Sequence, residues 1–272
     1  MGYLTTDKKK ITAKTLLEMK AAGEKITQMT DYDFTTASII DAAGIDSILV
    51  GDSASNVMAG NQDTTPITVD QMIYHARAVV RACHHCLVVC DMPFGSYQVS
   101  REDGIRNAIR ITKETGAGAV KMEGGKEIAD TVKGIVDAGI PVIGHLGLTP
   151  QSIHKFGGYG LRAKEDTEAE KLIEDALALD AAGVSGITLE KVPAALANKV
   201  TAMVKAATIG IGAGNGTDGQ VLVYADALGM TSGFKPKFLR HFANVNKCMT
   251  EGVMEYIRCV KSESFPSEAE SY

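Results

Sequence analysis

Four carboxylates, a lysine and a histidine stand where short apolar runs of this chain end. Asp52 follows Ile48-Leu49-Val50-Gly51, Asp91 follows Leu87-Val88-Val89-Cys90, and Glu123 closes a run that also carries Lys121. His145 follows Val142-Ile143-Gly144, and Glu190 follows Gly186-Ile187-Thr188-Leu189. A charge at the end of a hydrophobic run is costly unless something there uses it. Asp52, Asp91 and Glu123 offer hard oxygen ligands which, brought to one place, suit Mg²⁺, a cation that takes few carboxylates and keeps several waters. The competing reading, helix N-capping by Asp52 or Asp91, does not account for all three acids. Lys121 lies two residues before Glu123, so in a strand both face the same way. A buried lysine beside carboxylates is an anion binder or a Schiff-base nucleophile; next to a metal the first is more economical. His145 reads as a site residue from its position, or as a hydrogen-bonded core histidine.

The apolar runs that carry these residues are too short for helices and are bounded by glycine and polar residues, which makes them buried strands. The spacing predicts helix 12–22, strand 25–29, helix 34–43, strand 48–50, helix 70–82, strand 87–90, helix 101–115 and strand 119–122. Helix 126–138, strand 141–144, helix 167–182, strand 186–189, helix 193–204 and strands 208–211 and 220–224 follow. Strand alternating with helix implies a parallel sheet with right-handed crossovers, and eight such strands in a chain of 272 residues have the size of an α/β (β/α)8 TIM barrel preceded by an N-terminal helix. An open doubly wound sheet is the other arrangement of this alternation. The expected organisation is a single barrel domain over 1–272, with 1–24 an N-terminal helical extension. In a barrel the carboxyl ends of the strands carry the chemistry, where the six residues would meet. Two long loops, 53–68 and 145–164, would lie at that mouth.

Composition excludes several functions. A net charge of −5 and one short basic run, Lys8-Lys9-Lys10, argue against a nucleic-acid or anionic-membrane surface. No run approaches the roughly 20 apolar residues of a membrane span, and the N-terminus lacks the apolar core of a secretory signal, so a cytoplasmic location is expected. Five cysteines fit a reducing compartment. Cys83-His84-His85-Cys86, with Cys90 beyond, looks superficially like a metal cluster, but a zinc module needs a second ligand pair at defined spacing and the sequence has none. Cys86 and Cys90 therefore read as small hydrophobes in a strand. Gly210-x-Gly212-x-Gly214-x-Gly216 fails the dinucleotide fingerprint on spacing; it reads as a tight turn approaching a ligand or a neighbouring helix.

Val50-Gly51-Asp52-Ser53, Asp91-Met92-Pro93-Phe94, Val120-Lys121-Met122-Glu123-Gly124-Gly125, Gly144 through Ser152, and Ile209 through Gly214 with Thr217-Asp218-Gly219-Gln220 are distinctive in type and order. Together they resemble the ketopantoate hydroxymethyltransferase family. The resemblance covers the chain from about Ile26 to Tyr272, and the nine-residue run around His145 is the most specific part. It implies a phosphoenolpyruvate/pyruvate-type barrel, Mg²⁺, 5,10-methylenetetrahydrofolate as co-substrate and a homo-oligomer, commonly a decamer. It makes Asp52, Asp91 and Glu123 the metal site, places Asp52, Ser53, Asp91 and Lys121 around the keto acid, and gives Glu190 the part of base. The implied activity is Mg-dependent transfer of a hydroxymethyl group to 3-methyl-2-oxobutanoate, giving 2-dehydropantoate. Lys121 would stabilise the enolate, and the apolar Leu189 and Val192 would keep Glu190 basic. Two departures from the family pattern stand out: Gly160-Leu161-Arg162-Ala163 after Tyr159, and Asp31 where alanine is usual. Both fall in expected loops and bear on substrate access or folate contacts. A Mg-dependent 2-oxo acid lyase or mutase of the same barrel superfamily would use the same ligands without folate, and a non-catalytic ligand-binding barrel would leave the ionisable strand ends without purpose.

Overall fold

The computed structural model describes residues 10–231, 233 and 235–272. The chain forms two compact units, one ending at Leu222 and one running Val223–Tyr272. The first unit begins α1 (Ala13–Ala22), β1 (Ile26–Thr30), α2 (Phe34–Ala42), β2 (Ser47–Val50), α3 (Ala54–Val57), α4 (Val69–Ala82), β3 (Leu87–Asp91), α5 (Arg101–Thr115) and β4 (Ala119–Glu123). It continues with α6 (Ala129–Asp137), β5 (Val142–Gly147), α7 (Ile153–Phe156), α8 (Asp166–Ala182), β6 (Gly186–Glu190), α9 (Ala194–Met203), β7 (Ala207–Ile211) and β8 (Gly219–Leu222). The strands pair in chain order and in parallel, and the sheet closes where β8 meets β1, with Ile26 opposite Gly219 and Met29 opposite Leu222. The expected (β/α)8 barrel is therefore formed, and closure rules out the open doubly wound sheet.

Local chemistry explains the elements. β2, β3 and β4 are buried along their whole length, as parallel strands covered by helices outside and by core inside must be. Helix α4 starts on a reciprocal cap, in which the Thr68 hydroxyl accepts from the Gln71 N–H and the Gln71 side chain accepts from the Thr68 N–H. Helix α1 starts on Thr12 and stops at Gly23, whose φ of 73° is the left-handed conformation that suits a residue without Cβ. Ile11, Ala13 and Leu16 of this segment share one buried cluster with Leu49, Leu87, Val89, Ala119, Ile143, Ala207, Ile209 and Val221 of the barrel strands. Lys20 fastens α1 by donating to the carbonyls of Thr201 and Ala206, each at 2.9 Å, and by pairing with Asp218 at 3.0 Å. These partners precede β7 and β8, so α1 plugs the amino-terminal end of the barrel and leaves the carboxyl end for chemistry.

The structure corrects several boundaries. β5 extends to Gly147 instead of stopping at Gly144, because its ladder with β6 continues through Leu146–Leu189 and Gly147–Glu190. His145 is thus inside a strand. The expected helix 126–138 opens as a 3₁₀ turn, Lys126–Ile128, where the Asp175 carboxylate from α8 accepts the Lys126 N–H at 3.0 Å. β8 ends at Leu222, before Tyr224. In the glycine string, a Cβ on Gly214 would crowd Ala194 and one on Gly216 would collide with Asn198, so the glycines admit α9 rather than a dinucleotide.

The second unit holds α10 (Tyr224–Ala227) and α11 (Val245–Lys261), elements the sequence reading did not assign. Asn244 caps α11, its side chain accepting from the Lys247 N–H at 3.2 Å. No residue of α11 is buried, and Met249, Val253, Ile257 and Val260 recur at helical spacing along an exposed apolar stripe. No helix among the described residues is long and apolar enough to cross a membrane.

Candidate active site

Strand register assembles the site. Asp91, the last residue of β3, lies opposite Lys121 on β4; Glu123, the last residue of β4, lies opposite His145 on β5; and His145 lies opposite Thr188 on β6, two residues before Glu190. A two-residue side-chain period keeps Lys121 and Glu123 on one side of β4. Asp52 reaches the same place from the turn after β2, where its backbone N–H donates to Asp91 Oδ2 at 2.9 Å. All of these charged residues except Glu190 are buried.

The distances describe a linked cluster. Lys121 Nζ lies 2.8 Å from Asp91 Oδ1 and 3.4 Å from His145 Nδ1. Nδ1 of His145 is 3.3 Å from Glu123 Oε1, and its Nε2 is 3.4 Å from Glu190 Oε2. The approaches to Asp91 Oδ1, Glu123 Oε1 and His145 Nε2 are outside hydrogen-bond geometry, so these three buried atoms have ionic neighbours but no directed partner. Capping plays no part: α3 has no side-chain cap, and Asp52 Oδ2 instead accepts from Gln151 Nε2 at 2.9 Å.

Gln151 is the residue that sequence reasoning missed. It sits just after β5 within the run around His145, and it ties three walls together. Its Nε2 donates to Asp52 Oδ2 and to the Met92 carbonyl at 3.0 Å, its backbone N–H donates to Glu123 Oε2 at 2.9 Å, and its Oε1 accepts from Tyr97 Oη at 2.7 Å. Tyr97 in turn accepts the Glu123 N–H at 3.0 Å. A polar residue in a loop is ordinarily solvated, and nothing in the local pattern of Gln151 marks it as buried. Ser53 meets Tyr32, whose hydroxyl lies 2.7 Å from Ser53 Oγ.

Burial and like charge set the electrostatics. Asp52 is pushed up to about 8 by burial and by Asp91 and Glu123, with Lys121 opposing. Burial likewise raises Asp91, though Lys121 and the Asp52 N–H pull the other way. Burial disfavours the charged form of Lys121, but Asp91, Glu123 and Asp52 outweigh it and keep the ammonium protonated. For His145, burial and the Lys121 charge work against protonation; Glu123 and Glu190 overcome both and hold its pKa up at about 9. The site is short of positive charge, with four carboxylates facing one lysine and one histidine.

The two departures from the family pattern are placed as follows. Asp31 is in a loop but fully buried, its Oδ1 accepting from the N–H groups of Tyr32 and Asp33 at 2.6 and 3.0 Å and from Thr36 Oγ1 at 3.0 Å. Arg162 spreads its guanidinium over the Phe156 ring at 4.0 Å from the centroid and pairs with Glu168, which fixes the loop after α7. His154 Nε2 in α7, 3.4 Å from Asp63 Oδ2, links that helix to the loop after α3.

The sequence profile of the ketopantoate hydroxymethyltransferase family matches residues 10–268. The chain belongs to that family. It is 58% identical over 271 residues to a 3-methyl-2-oxobutanoate hydroxymethyltransferase of Bacteroides fragilis, covering 100% of this chain and 99% of the relative. It is 59% identical to the enzyme of that name from Flavobacterium johnsoniae, each chain being covered in full (100%). Among solved structures, 2,3-dimethylmalate lyase, a member of the PEP mutase/isocitrate lyase superfamily, superposes with a TM-score of 0.61 at 16% identity, covering 91% of this chain and 88% of that one. A phosphonopyruvate hydrolase in complex with oxalate and Mg²⁺ gives 0.62 at 12% identity, with 96% and 93% covered. These two share the barrel fold with the family.

Proposed function

We propose that this site carries out the reaction for which the family is named, transfer of a hydroxymethyl group from 5,10-methylenetetrahydrofolate to 3-methyl-2-oxobutanoate, as a step of pantothenate biosynthesis. The observation that carries the assignment to these residues is the convergence of Asp52, Asp91 and Glu123 on one buried cluster in which Asp91 Oδ1 and Glu123 Oε1 lack directed donors. Such a donor set fits Mg²⁺, being all oxygen, acidic and short of compensating charge. Asp52, Asp91 and Glu123 would hold the cation. When bound, it supplies charge that polarises the 2-oxo acid and favours loss of its C3 proton.

The chain's own groups account for the remaining steps. Lys121, fixed by Asp91 and kept protonated, presents an ammonium to the negative charge that develops on the keto oxygen. The Ser53 hydroxyl, held by Tyr32, is placed to bind the substrate near Asp52. Glu190 is the base that takes the C3 proton, and His145, between Glu123 and Glu190, orients its carboxylate. The C3 carbon bonds to the one-carbon unit, water supplies the oxygen of the new hydroxymethyl group, and the two C–N bonds to the folate break, the C3 proton and one proton of the water ending on the nitrogens of tetrahydrofolate. Gln151 keeps Asp52 and Glu123 in place throughout.

The enzyme acts on small molecules in the cytoplasm as a homo-oligomer, a reading supported by the exposed apolar stripe of α11. The direct test combines 3-methyl-2-oxobutanoate with methylenetetrahydrofolate, with and without Mg²⁺, and follows 2-dehydropantoate. Product that forms only with both folate and metal supports the assignment; product formed equally well after metal is chelated, or without folate, contradicts it.

A further inference from the structure

The Cys83-His84-His85-Cys86 segment lies at the amino-terminal end of β3, away from the catalytic mouth, and the reaction makes no use of it. Its sequence lacked a second set of ligands. The fold supplies one from far along the chain: the carboxylate of Asp41, near the end of α2, sits against this turn. Ligand atoms of Asp41, Cys83 and Cys86 all lie within 4.8 Å of one another, and all three residues are buried. On a tetrahedral zinc with bonds of about 2.3 Å to sulfur, ligand atoms stand roughly 3.8 Å apart, so closing on an ion would need only a small inward movement.

We propose that Asp41, Cys83 and Cys86 form a second metal site, for a thiophilic closed-shell cation such as Zn²⁺, that ties α2, α4 and β3 together at the amino-terminal face of the barrel. Asp41 is already oriented. It accepts the N–H groups of His84 at 2.9 Å, Cys86 at 2.8 Å and His85, which is shared between the two oxygens at 3.2 and 3.3 Å, so three donors meet about four lone-pair sites and one site is left for a cation. Such N–H groups are the kind of outer-shell partners that fix a ligating carboxylate. The two thiols belong to different elements, Cys83 capping the C-terminus of α4 and Cys86 preceding β3. His85 Nδ1, between the two cysteines in sequence, is buried with no hydrogen-bond partner. Without a cation the neighbouring Cys83 thiol, burial and Asp41 all push the Cys86 thiol up and favour its protonated form. A bound ion would reverse that preference: each thiol loses its proton to solvent as its sulfur bonds the metal, with no change of oxidation state. Completing a tetrahedral zinc would take a fourth ligand, supplied by water.

The probe is Cd²⁺, whose thiolate complexes absorb in the ultraviolet, added to full-length reduced protein with excess Mg²⁺ present to occupy the carboxylate cluster. Cys248 and Cys259, the two thiols that are not buried, are replaced by serine beforehand. The expected result is a charge-transfer band that saturates at one ion per chain, about two protons released, and two thiols protected from alkylation. Zn²⁺ should displace the Cd²⁺ and raise the melting temperature. Asp41→Asn should weaken binding by more than about tenfold, the loss that even an outer-shell partner can produce, and Cys83→Ser should abolish the band. Absence of the band in the parent protein would overturn the proposal whether or not the Cys83 variant folds. So would a band that survives Cys83→Ser.

Discussion

Glu190 differs from the other acids of the site in how open it is. Its side chain is 16% exposed, whereas Asp91 and Glu123 retain 2% and 3%. A base has to meet the substrate and exchange its proton with solvent, so the difference in exposure fits the proposed division of Glu190 as base from Asp91 and Glu123 as metal ligands. Glu190→Gln keeps shape and hydrogen bonding but removes the basic lone pair, so kcat should fall by about 10²- to 10⁴-fold with keto-acid affinity little changed. A variant with wild-type kcat would move the proton transfer to another group, with His145 next to be tried. Asp31 gives a second expectation at this scale. Burial pushes its carboxyl up to about 6 from 3.8, against the hydrogen bonds from Asp33, Thr36 and Tyr32. The unfolded chain therefore releases this proton first, and the group's contribution to stability falls as pH rises from about 4 to about 6 and stays low above that. Asp31→Asn should be more stable than wild type at neutral pH, by up to about 3 kcal/mol, with the gain vanishing below about pH 4. Urea unfolding at both pH values checks this, and an equal difference at the two would rule out titration as the cause. The strand-end acids were legible because charge after an apolar run is conspicuous. Gln151 and Tyr97 were not, since a loop glutamine and a lone tyrosine carry no periodic signal of burial.

Among the elements, α1 shows most clearly the division between stability and chemistry. The helix was legible from its apolar residues and its glycine stop, but its role as the plug of the barrel was not, because that depends on contacts with segments 181 and 186 residues away, such as those Lys20 makes. Leu16 is 1% exposed in the cluster it shares with the strands. Leu16→Ala should cost about 2–5 kcal/mol, the usual range for a buried leucine, while leaving activity near wild type well below the melting temperature. Loss of activity with unchanged stability would instead tie α1 to the catalytic end. β5 shows the opposite limit of a sequence reading. Gly144 reads as the end of a strand, yet β5 runs on to Gly147, which has a φ of 89° and lies against the backbone of Glu190, where any Cβ would collide with the Glu190 carbonyl. Length in a parallel strand is decided by its neighbours in the ladder as well as by its own residues.

For the molecule as a whole, the barrel was readable because eight apolar runs alternate with helical spacing, and chain connectivity then allows few topologies. The amphipathic α11 escaped because no strand follows it to continue the pattern. The meeting of Asp41 with the cysteine pair was hidden too, since nothing in a sequence announces a contact across more than 40 residues. On the proposed function, the mouth of this barrel labilises the C3 hydrogen of a 2-oxo acid by a lysine, a base and a metal-binding carboxylate cluster acting together. That half-reaction needs no folate. It can be followed by NMR as solvent deuterium entering C3 of 3-methyl-2-oxobutanoate in the absence of methylenetetrahydrofolate. Wild-type protein with Mg²⁺ should exchange the hydrogen, and both chelation of the metal and the Asp91→Asn substitution should reduce exchange to near the uncatalysed rate. Exchange at the full rate in chelator, or in a folded Asp91→Asn variant, would contradict the account.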